Sequence, residues 1–157
     1  MPDPIIRPAS GDDLPGIAAL WRERMTLRQQ TDSRFVIAPD GASTWMKNAA
    51  GWLANPDYAI YVADLDATMV GYIVARIEDS PPGLLPTKIG VVVEMAVGAH
   101  SYQSGLGRHL LQPVRSWFAD REISQFVVYV PHRTPVEQAF WRAVHAPEMT
   151  DIMWMKV

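Results

Sequence analysis

The segment EMAVGAHSYQSGLGRHLL, residues 94–111, decides the fold because it joins an apolar strand to an amphipathic helix through a glycine-containing turn. The run Ile89–Val97 predicts a buried strand that carries one carboxylate, Glu94. In the turn, Gly105 and Gly107 let the backbone approach a ligand closely, and the free amides at the helix start favour an anion such as pyrophosphate. The alternative is that the two glycines only make a tight strand-to-helix turn.

Strands and helices alternate along the rest of the chain. The predicted strands are Ile5–Ala9, Tyr58–Ala63, Met69–Ile77, Ile89–Val97, Phe126–Val130 and Asp151–Val157. Four helices are predicted. The first follows the capping box of Ser10 and Asp13, and the second spans Ser43–Leu53. The third runs from Leu106 to about Arg121, and the fourth spans Thr134–Val144. A helix between the last strands favours a mixed sheet, and no repeat or composition break marks a boundary. We predict one α/β domain over residues 1–157.

Composition excludes several classes of function. The chain has 157 residues, a formal net charge of -3 and no cysteine. Disulfides, cysteine-ligated metals and thiolate catalysis are therefore excluded, and we predict no metal site. Without a basic run, nucleic-acid binding through phosphate neutralisation is not expected. No apolar run approaches the ~20 residues of a membrane span, and the N-terminus lacks the order of a signal peptide, so we expect a soluble cytoplasmic protein without membrane contact.

The glycine turn departs from two common phosphate-binding motifs. It lacks the Gly-Lys-Ser/Thr of a P-loop, and Leu110 stands where a dinucleotide fingerprint has its third glycine. It resembles the turn of the GNAT superfamily of acyl-CoA-dependent N-acyltransferases, in which a hydrophobic-x-Val segment, here Met95-Ala96-Val97, precedes Gln/Arg-x-x-Gly-x-Gly/Ala. Tyr102 occupies the first position of that turn, and Gln103 lies one step late. The resemblance implies a mixed, mostly antiparallel central sheet flanked by about four helices.

A later segment resembles the same family in its spacing. The family pattern of Leu-x-Val, Asn, Ala and Phe-Tyr falls on Val128-Tyr129-Val130, Thr134, Glu137 and Phe140-Trp141. Thr134 replaces the asparagine that usually contacts the pantetheine arm. Trp141 replaces the tyrosine that protonates the departing thiolate in many members, and an indole N–H has no useful acidity.

The resemblance also implies a function and a set of site residues. Acetyl-CoA or another short acyl-CoA would be the co-substrate, a small-molecule or peptide amine would accept the acyl group, and a homodimer is possible by analogy. Without cysteine, the amine would attack directly in a ternary complex. The residues implied in cofactor binding are Met95, Ala96, Val97, Gln103, Ser104, Gly105, Leu106, Gly107, Arg108, Thr134 and Trp141, with the Val97 amide polarising the thioester carbonyl.

Glu94 is the predicted general base, because an ammonium must lose a proton before it attacks a carbonyl carbon. A carboxylate inside an apolar strand is costly unless it is hydrogen-bonded or functional, although period-two alternation could also direct Glu94 to solvent on an open sheet face. Tyr129 and His132 are weaker candidates for the acid, and water could also deliver that proton.

Two further groups of side chains bear on the acceptor. Aromatic and methionine side chains of the first two helices would either line an acceptor pocket or pack in the core. Arg24, Arg28 and Arg34 would either bind a carboxylate of the acceptor or form a solvated face. Two rival interpretations remain open at this point: a non-catalytic CoA-binding or regulatory domain, and an interaction domain that binds no ligand.

Overall fold

A computed structural model describes residues 3–102 and 104–157 of the chain. In this range the chain forms five strands and four α-helices, with short 3-10 turns at Gly11–Asp13 and Ala99–Ser101. The strands are β1 (Ile5–Pro8), β2 (Tyr58–Leu65), β3 (Thr68–Asp79), β4 (Lys88–Val97) and β5 (Phe126–Val128). The helices are α1 (Leu14–Thr31), α2 (Gly41–Leu53), α3 (Leu106–Ala119) and α4 (Pro135–Ala143).

The strands form a single sheet in chain order, β1-β2-β3-β4-β5. The pairs β1–β2, β2–β3 and β3–β4 are antiparallel, and β5 runs parallel to β4. The mostly antiparallel, mixed sheet flanked by four helices confirms the predicted fold class.

The last two strands of the sheet separate along their length. The register pairs Gly90, Val91 and Val92 of β4 with residues 126–128 of β5, and the pairing ends there. Strand β4 continues to Val97 beside β3. We call the space beside residues 93–97 that β5 leaves unfilled the β4–β5 opening.

A β-bulge lies where the two strands part. Val92 pairs with Ala75 and Glu94 pairs with Val74, so Val93 has no partner in β3. A bulge bends its strand and increases its twist, and this one directly follows the last β4–β5 pair at Val92. The bulge also resets the alternation of side chains, since regular pairing would place Glu94 on the same face as Val92.

The helices cover the sheet on both faces. One core cluster includes Val92, the buried side of α3, and Trp141 of α4. On the other face, Tyr72 and Ala96 pack with Ile17 of α1 and with residues of α2. Residues 93 and 96 of β4 belong to this second cluster, so the opening in the sheet has α1 and α2 on one side and α3 and α4 on the other.

The predicted capping box at the start of α1 is present. Asp13 accepts a hydrogen bond from the Ser10 amide at 2.7 Å and from two guanidinium nitrogens of Arg7 at 2.8 Å each. Arg7 also donates to Asp64 of β2 at 2.9 Å. The Arg7 guanidinium holds the pKa of the Asp13 carboxyl well below its usual range. One arginine therefore ties β1, β2 and the start of α1 together.

The predicted final strand, Asp151–Val157, is wrong. These residues form no strand in the part of the chain described, and large apolar side chains such as Met153 and Met155 are 89% and 85% exposed. The apolar and polar alternation was the only signal for this strand, and alternation makes no strand without a backbone partner. Strand β5 is also shorter than predicted, since Tyr129 and Val130 lie beyond its end. Among the described residues, no helix has the length and apolarity to cross a membrane.

Candidate active site

Glu94 is held by two aromatic side chains on the face of the sheet covered by α1 and α2. The Tyr72 hydroxyl donates to Oε2 at 2.7 Å, and the Trp45 indole Nε1–H donates to Oε1 at 3.0 Å and to Oε2 at 3.2 Å. Glu94 is half-buried. Its carboxylate therefore does not extend into open solvent, which was the alternative that the sequence left open.

Tyr72 is a fixed donor to this carboxylate. Its side chain is fully buried, and burial together with the charge of Glu94 raises the pKa of the phenol well above its ordinary value. The hydroxyl consequently stays protonated and donates at any physiological pH. A carboxylate accepts about four hydrogen bonds, so Glu94 keeps capacity for a further donor such as an ammonium or a water.

The Val97 amide is directed into the β4–β5 opening. Backbone groups of alternate residues in a strand point to opposite sides. The amide of Gly98 donates to the Val70 carbonyl of β3 at 2.8 Å, so the amide of the preceding residue points away from β3. Met95 has the same orientation as Val97 by the same alternation. The opening is thus bordered by backbone donors on the strand that carries Glu94.

The two glycines of the turn have different roles. Gly105 is the N-cap of α3 with φ of +81°, and, its chain neighbours aside, no atom of the described residues lies within 4 Å of the position a Cβ would take. A Cβ on Gly107 would lie 2.8 Å from the Phe140 ring, so this glycine permits the close packing of α3 on α4. The turn is therefore open at its first glycine, where the backbone is free to meet a ligand, and closed at its second.

The other predicted residues of the turn are described only in part. The Ser104 hydroxyl accepts a hydrogen bond from the Leu106 amide at 3.4 Å, and Arg108 donates to the Ala143 carbonyl at the end of α4 at 3.1 Å. Gln103 lies outside the described residues. The Arg108 side chain is exposed, which leaves it at the rim of the turn.

The later segment that resembles the family, residues 128–141, makes contacts within the protein. The Thr134 hydroxyl donates to the Pro131 carbonyl at 2.6 Å, and Trp141 is 5% exposed in the core cluster of α3. Tyr129 is 55% exposed, and the His132 ring lies 2.9 Å from the Asp151 carboxylate. Neither of the two predicted acids makes a hydrogen bond with Glu94.

Sequence reasoning missed an ion-pair cluster formed by Arg24 and Arg28 of α1 and Glu137 of α4. Arg28 Nη2 lies 2.9 Å from Glu137 Oε2, and Arg24 Nη2 lies 3.4 Å from the same oxygen. The spacing of the arginines, four residues apart on one helix face, was the available signal. Glu137 was noted only as a replacement for alanine, since no local pattern links α4 to α1.

An apolar groove lies between α1, α2 and the loop that joins them. We call it the aromatic groove; it has a volume of about 340 Å³. Its lining residues are Trp21, Met25, Phe35, Val36, Ile37, Ala38, Gly41, Thr44, Trp45, Asn48 and Trp52. Trp45 belongs to both sites, because it lines the groove and donates to Glu94. No lining residue within the described ranges is acidic.

Comparison with known proteins defines the class to which this chain belongs. Residues 19–145 match the model of the Acetyltransferase (GNAT) family, so the chain belongs to this family. No curated protein matches it in sequence. Among the described residues, no cluster of three or more His, Asp or Glu side chains is arranged to hold a metal ion.

Solved structures share the fold at low sequence identity. A tetramutant of the BH1408 protein from Bacillus halodurans matches with a TM-score of 0.85 at 16% identity, covering 98% of this chain and 99% of that one. Aminoglycoside antibiotic 6'-N-acetyltransferase AAC(6')-IG from Acinetobacter haemolyticus matches with a TM-score of 0.78 at 16% identity, covering 98% and 97%. Aminoglycoside N-acetyltransferase AAC(6')-Iy in complex with CoA matches with a TM-score of 0.75 at 14% identity, covering 98% of both chains.

Proposed function

We propose that the protein transfers an acetyl or other short acyl group from acyl-CoA to a primary amine. The observation that carries this proposal is the position of Glu94, whose carboxylate is held by Trp45 between the aromatic groove and the strand that borders the β4–β5 opening. Membership of the acetyltransferase family and the CoA complex of a structural neighbour support acyl-CoA as the donor.

The residues present fit an acyl-CoA in the β4–β5 opening. We assign the contacts with the acyl thioester to Met95, Ala96 and Val97, with the outward-pointing Val97 amide donating to the carbonyl oxygen. The pyrophosphate would lie at the turn of Ser104, Gly105, Leu106, Gly107 and Arg108, together with Gln103. The open backbone at Gly105 and the start of the 14-residue helix α3 suit an anion.

Glu94 is the proposed general base. It takes a proton from the substrate ammonium, directly or through a water, and the neutral nitrogen then attacks the thioester carbonyl carbon. A C–N bond forms, the C–S bond breaks, and CoA leaves as the thiolate. With three donor contacts on Glu94 from fixed aromatic groups, the carboxylate is oriented before the amine arrives.

The acid that protonates the thiolate is proposed to come from solvent or from a side chain near the end of β5. Tyr129 and His132 stay candidates because both side chains are exposed and carry a titratable proton. Trp141 is buried in the core and lacks an acidic proton. Its burial also favours the second candidate function, a CoA-binding domain without turnover.

Two measurements separate these functions. Titration calorimetry with acetyl-CoA tests the cofactor site, and a thiol-release assay with a panel of primary amines tests turnover. We expect acetyl-CoA to bind and several amines to release CoA at rates above the amine-free background. Binding without amine-dependent release would establish the non-catalytic function instead, and no binding at millimolar acetyl-CoA would exclude both.

We also propose a cytoplasmic homodimer. The absence of cysteine suits a reducing compartment. The support for a dimer is the exposed apolar segment at the C-terminus, where Ile152, Met153 and Met155 are 72%, 89% and 85% exposed. Side chains of this kind are usually covered when they are grouped.

A further inference from the structure

The ion-pair cluster of α1 and α4 has more positive charge than its partners neutralise. Arg24 and Arg28 share one carboxylate oxygen, Glu137 Oε2. Each arginine side chain is 11% exposed. Burial and the neighbouring charge of Arg24 lower the pKa of Arg28, as expected for two guanidinium groups held together with one close counter-ion.

Several donors of this pair have no acceptor among residues 3–102 and 104–157. Nε and Nη1 of Arg24 and Nε of Arg28 are buried, and no described side chain or backbone group accepts a hydrogen bond from them. A buried donor left without an acceptor destabilises the fold, and more so when it is charged. Since buried polar groups are normally hydrogen-bonded, open donors beside two positive charges suit an anionic ligand.

The position of the pair indicates which ligand completes it. Arg28 lies on the stripe of α1 that includes Trp21 and Met25 of the aromatic groove, and its guanidinium carbon is 5.8 Å from the ring centre of Phe35, which also lines the groove. Trp45 lines the same groove and donates to Glu94, so the carboxylate also lies at the groove. A cation pair and a carboxylate therefore flank one apolar groove.

We infer that the acceptor is a small amino compound with an apolar or aromatic body and a carboxylate group, and that Arg24 and Arg28 bind this carboxylate. This inference rests on the proposed acyl transfer. The ammonium of such a zwitterion faces Glu94, its body lies in the aromatic groove, and its carboxylate supplies the acceptor that the two guanidinium groups lack. Arginine is suited to the contact because its planar fork matches a carboxylate.

The inference distinguishes this protein from the aminoglycoside acetyltransferases that share its fold. An aminoglycoside carries several ammonium groups and requires acidic partners. The described lining of the aromatic groove has no acidic residue, and the guanidinium of Arg28 lies beside its Phe35 ring. A polycation would meet repulsion where a carboxylate meets attraction.

Matched pairs of amines test the inference. L-phenylalanine and L-tryptophan are compared with phenethylamine and tryptamine, which lack only the carboxylate. We expect kcat/KM to be higher for each amino acid by about 10-fold or more, since a hydrogen bond to a charged group contributes about 1.5–3 kcal/mol. Equal values for the members of a pair would overturn the inference.

Substitutions of the two arginines test which side chain binds the carboxylate of the acceptor. Arg28→Gln and Arg24→Gln should raise KM for the amino acids about 10-fold while leaving KM for the decarboxylated amines unchanged. Arg28→Lys keeps the positive charge and should retain part of the preference for the amino acids over the decarboxylated amines. It replaces Arg28→Gln as the test if the glutamine variant does not fold. Arg22→Gln, at an exposed position of the same helix, is the matched control and should change neither value.

Calorimetry separates this inference from the proposed function. N-acetyl-L-phenylalanine, which carries the carboxylate but no reactive amine, should bind the wild-type chain and lose about 10-fold in affinity in Arg28→Gln. If N-acetyl-L-phenylalanine binds and Arg28→Gln weakens that binding, the carboxylate site is supported even when no amine is acylated. In that case only the proposed acyl transfer is refuted. If Arg28→Gln instead weakens acetyl-CoA and leaves the acetylated amino acid unaffected, the arginines bind a cofactor phosphate and the inference is wrong.

Discussion

The Tyr72 hydroxyl lies 2.7 Å from Oε2 of Glu94, and the ring that carries it is completely buried. The proposed base is thus oriented by a residue of the core rather than by a mobile surface group. Tyr72 is a positioning residue, because it contacts the carboxylate and no reacting atom. This contact therefore connects the packing of the sheet beneath α2 to the position of the proposed base, Glu94.

Tyr72→Phe should lower kcat by about tenfold, since it removes one hydrogen bond to a charged group and keeps the ring in place. KM for acetyl-CoA should not change, because the hydroxyl faces Glu94. Tyr61→Phe, in the neighbouring strand, is the control and should have wild-type kcat. An unaltered kcat in Tyr72→Phe would show that the hydroxyl does not position the base.

Glu94→Gln should lower kcat/KM for the amine by about 100-fold to 10,000-fold, the range for loss of a general base. The glutamine retains the shape and can still accept from Trp45, so binding of acetyl-CoA should persist by calorimetry. Glu122→Gln, at an exposed position, is the matched control; a Glu94 variant with wild-type kcat/KM would remove the proposed role.

Asp13→Asn should destabilise the fold at pH 7 by about 1.5–3 kcal/mol, because it removes charge-assisted hydrogen bonds from Arg7. The folded state lowers the pKa of the Asp13 carboxyl below its unfolded value. Its contribution is therefore fully present above the unfolded pKa of about 3.9 and is lost as pH falls through the folded pKa.

Urea denaturation of the wild type and Asp13→Asn at a series of pH values measures this contribution. The difference in unfolding free energy should be constant near neutrality and shrink in strong acid. Asp12→Asn, which changes an exposed neighbour, should follow the wild type throughout. A difference that stays constant down to the lowest pH would contradict the assignment to Asp13.

Gly107→Ala should destabilise the protein by about 1–3 kcal/mol, since the new methyl group would lie 2.8 Å from the Phe140 ring and force α4 away from α3. Gly51→Ala is the matched change in α2, where nothing lies within 4 Å. It should stabilise the helix by about 0.5–1 kcal/mol. Thermal unfolding should move the two melting temperatures in opposite directions; a shift of the same sign would refute the packing role of Gly107.

A chain that ends at Asp151 should remain folded with nearly the wild-type melting temperature of the monomer, because residues 152–157 are exposed and form no strand. It should also be less able to dimerise, since it lacks the apolar side chains of that segment. Sedimentation velocity over a range of concentrations measures both chains. A truncated chain that dimerises as tightly as the full chain would show that the segment is not the interface.

Local patterns predicted most of the fold because the signals were local. The capping box at Ser10, the Pro135 that opens α4 and the apolar stripe of α3 all depend on residues a few positions apart. The strand at Asp151–Val157 failed because a strand needs a partner, and a sequence pattern contains no information on whether one is available. The extent of β5 was overestimated for the same reason.

The site was predictable only where the backbone determines it. Glu94 and the glycine turn were predicted from one continuous segment. The contacts of Glu94 with Trp45 and Tyr72 join residues 49 and 22 positions apart, and the pairing of Arg28 with Glu137 joins residues 109 positions apart. Such contacts depend on how α1, α2 and α4 meet around the sheet, which no spacing within one element reveals.

The unpaired residue Val93 has a consequence for how the cleft can be lost. Because β4 has one residue more than β3 at this point, loss of a single codon would make the pairing regular and leave Glu94 on its present face. The straightened strand could then extend its backbone pairing to the residues that follow β5, and the sheet would close over the space assigned to the thioester. An inactive descendant of this protein could thus arise by one in-frame deletion while every residue with a proposed chemical role stayed in the gene.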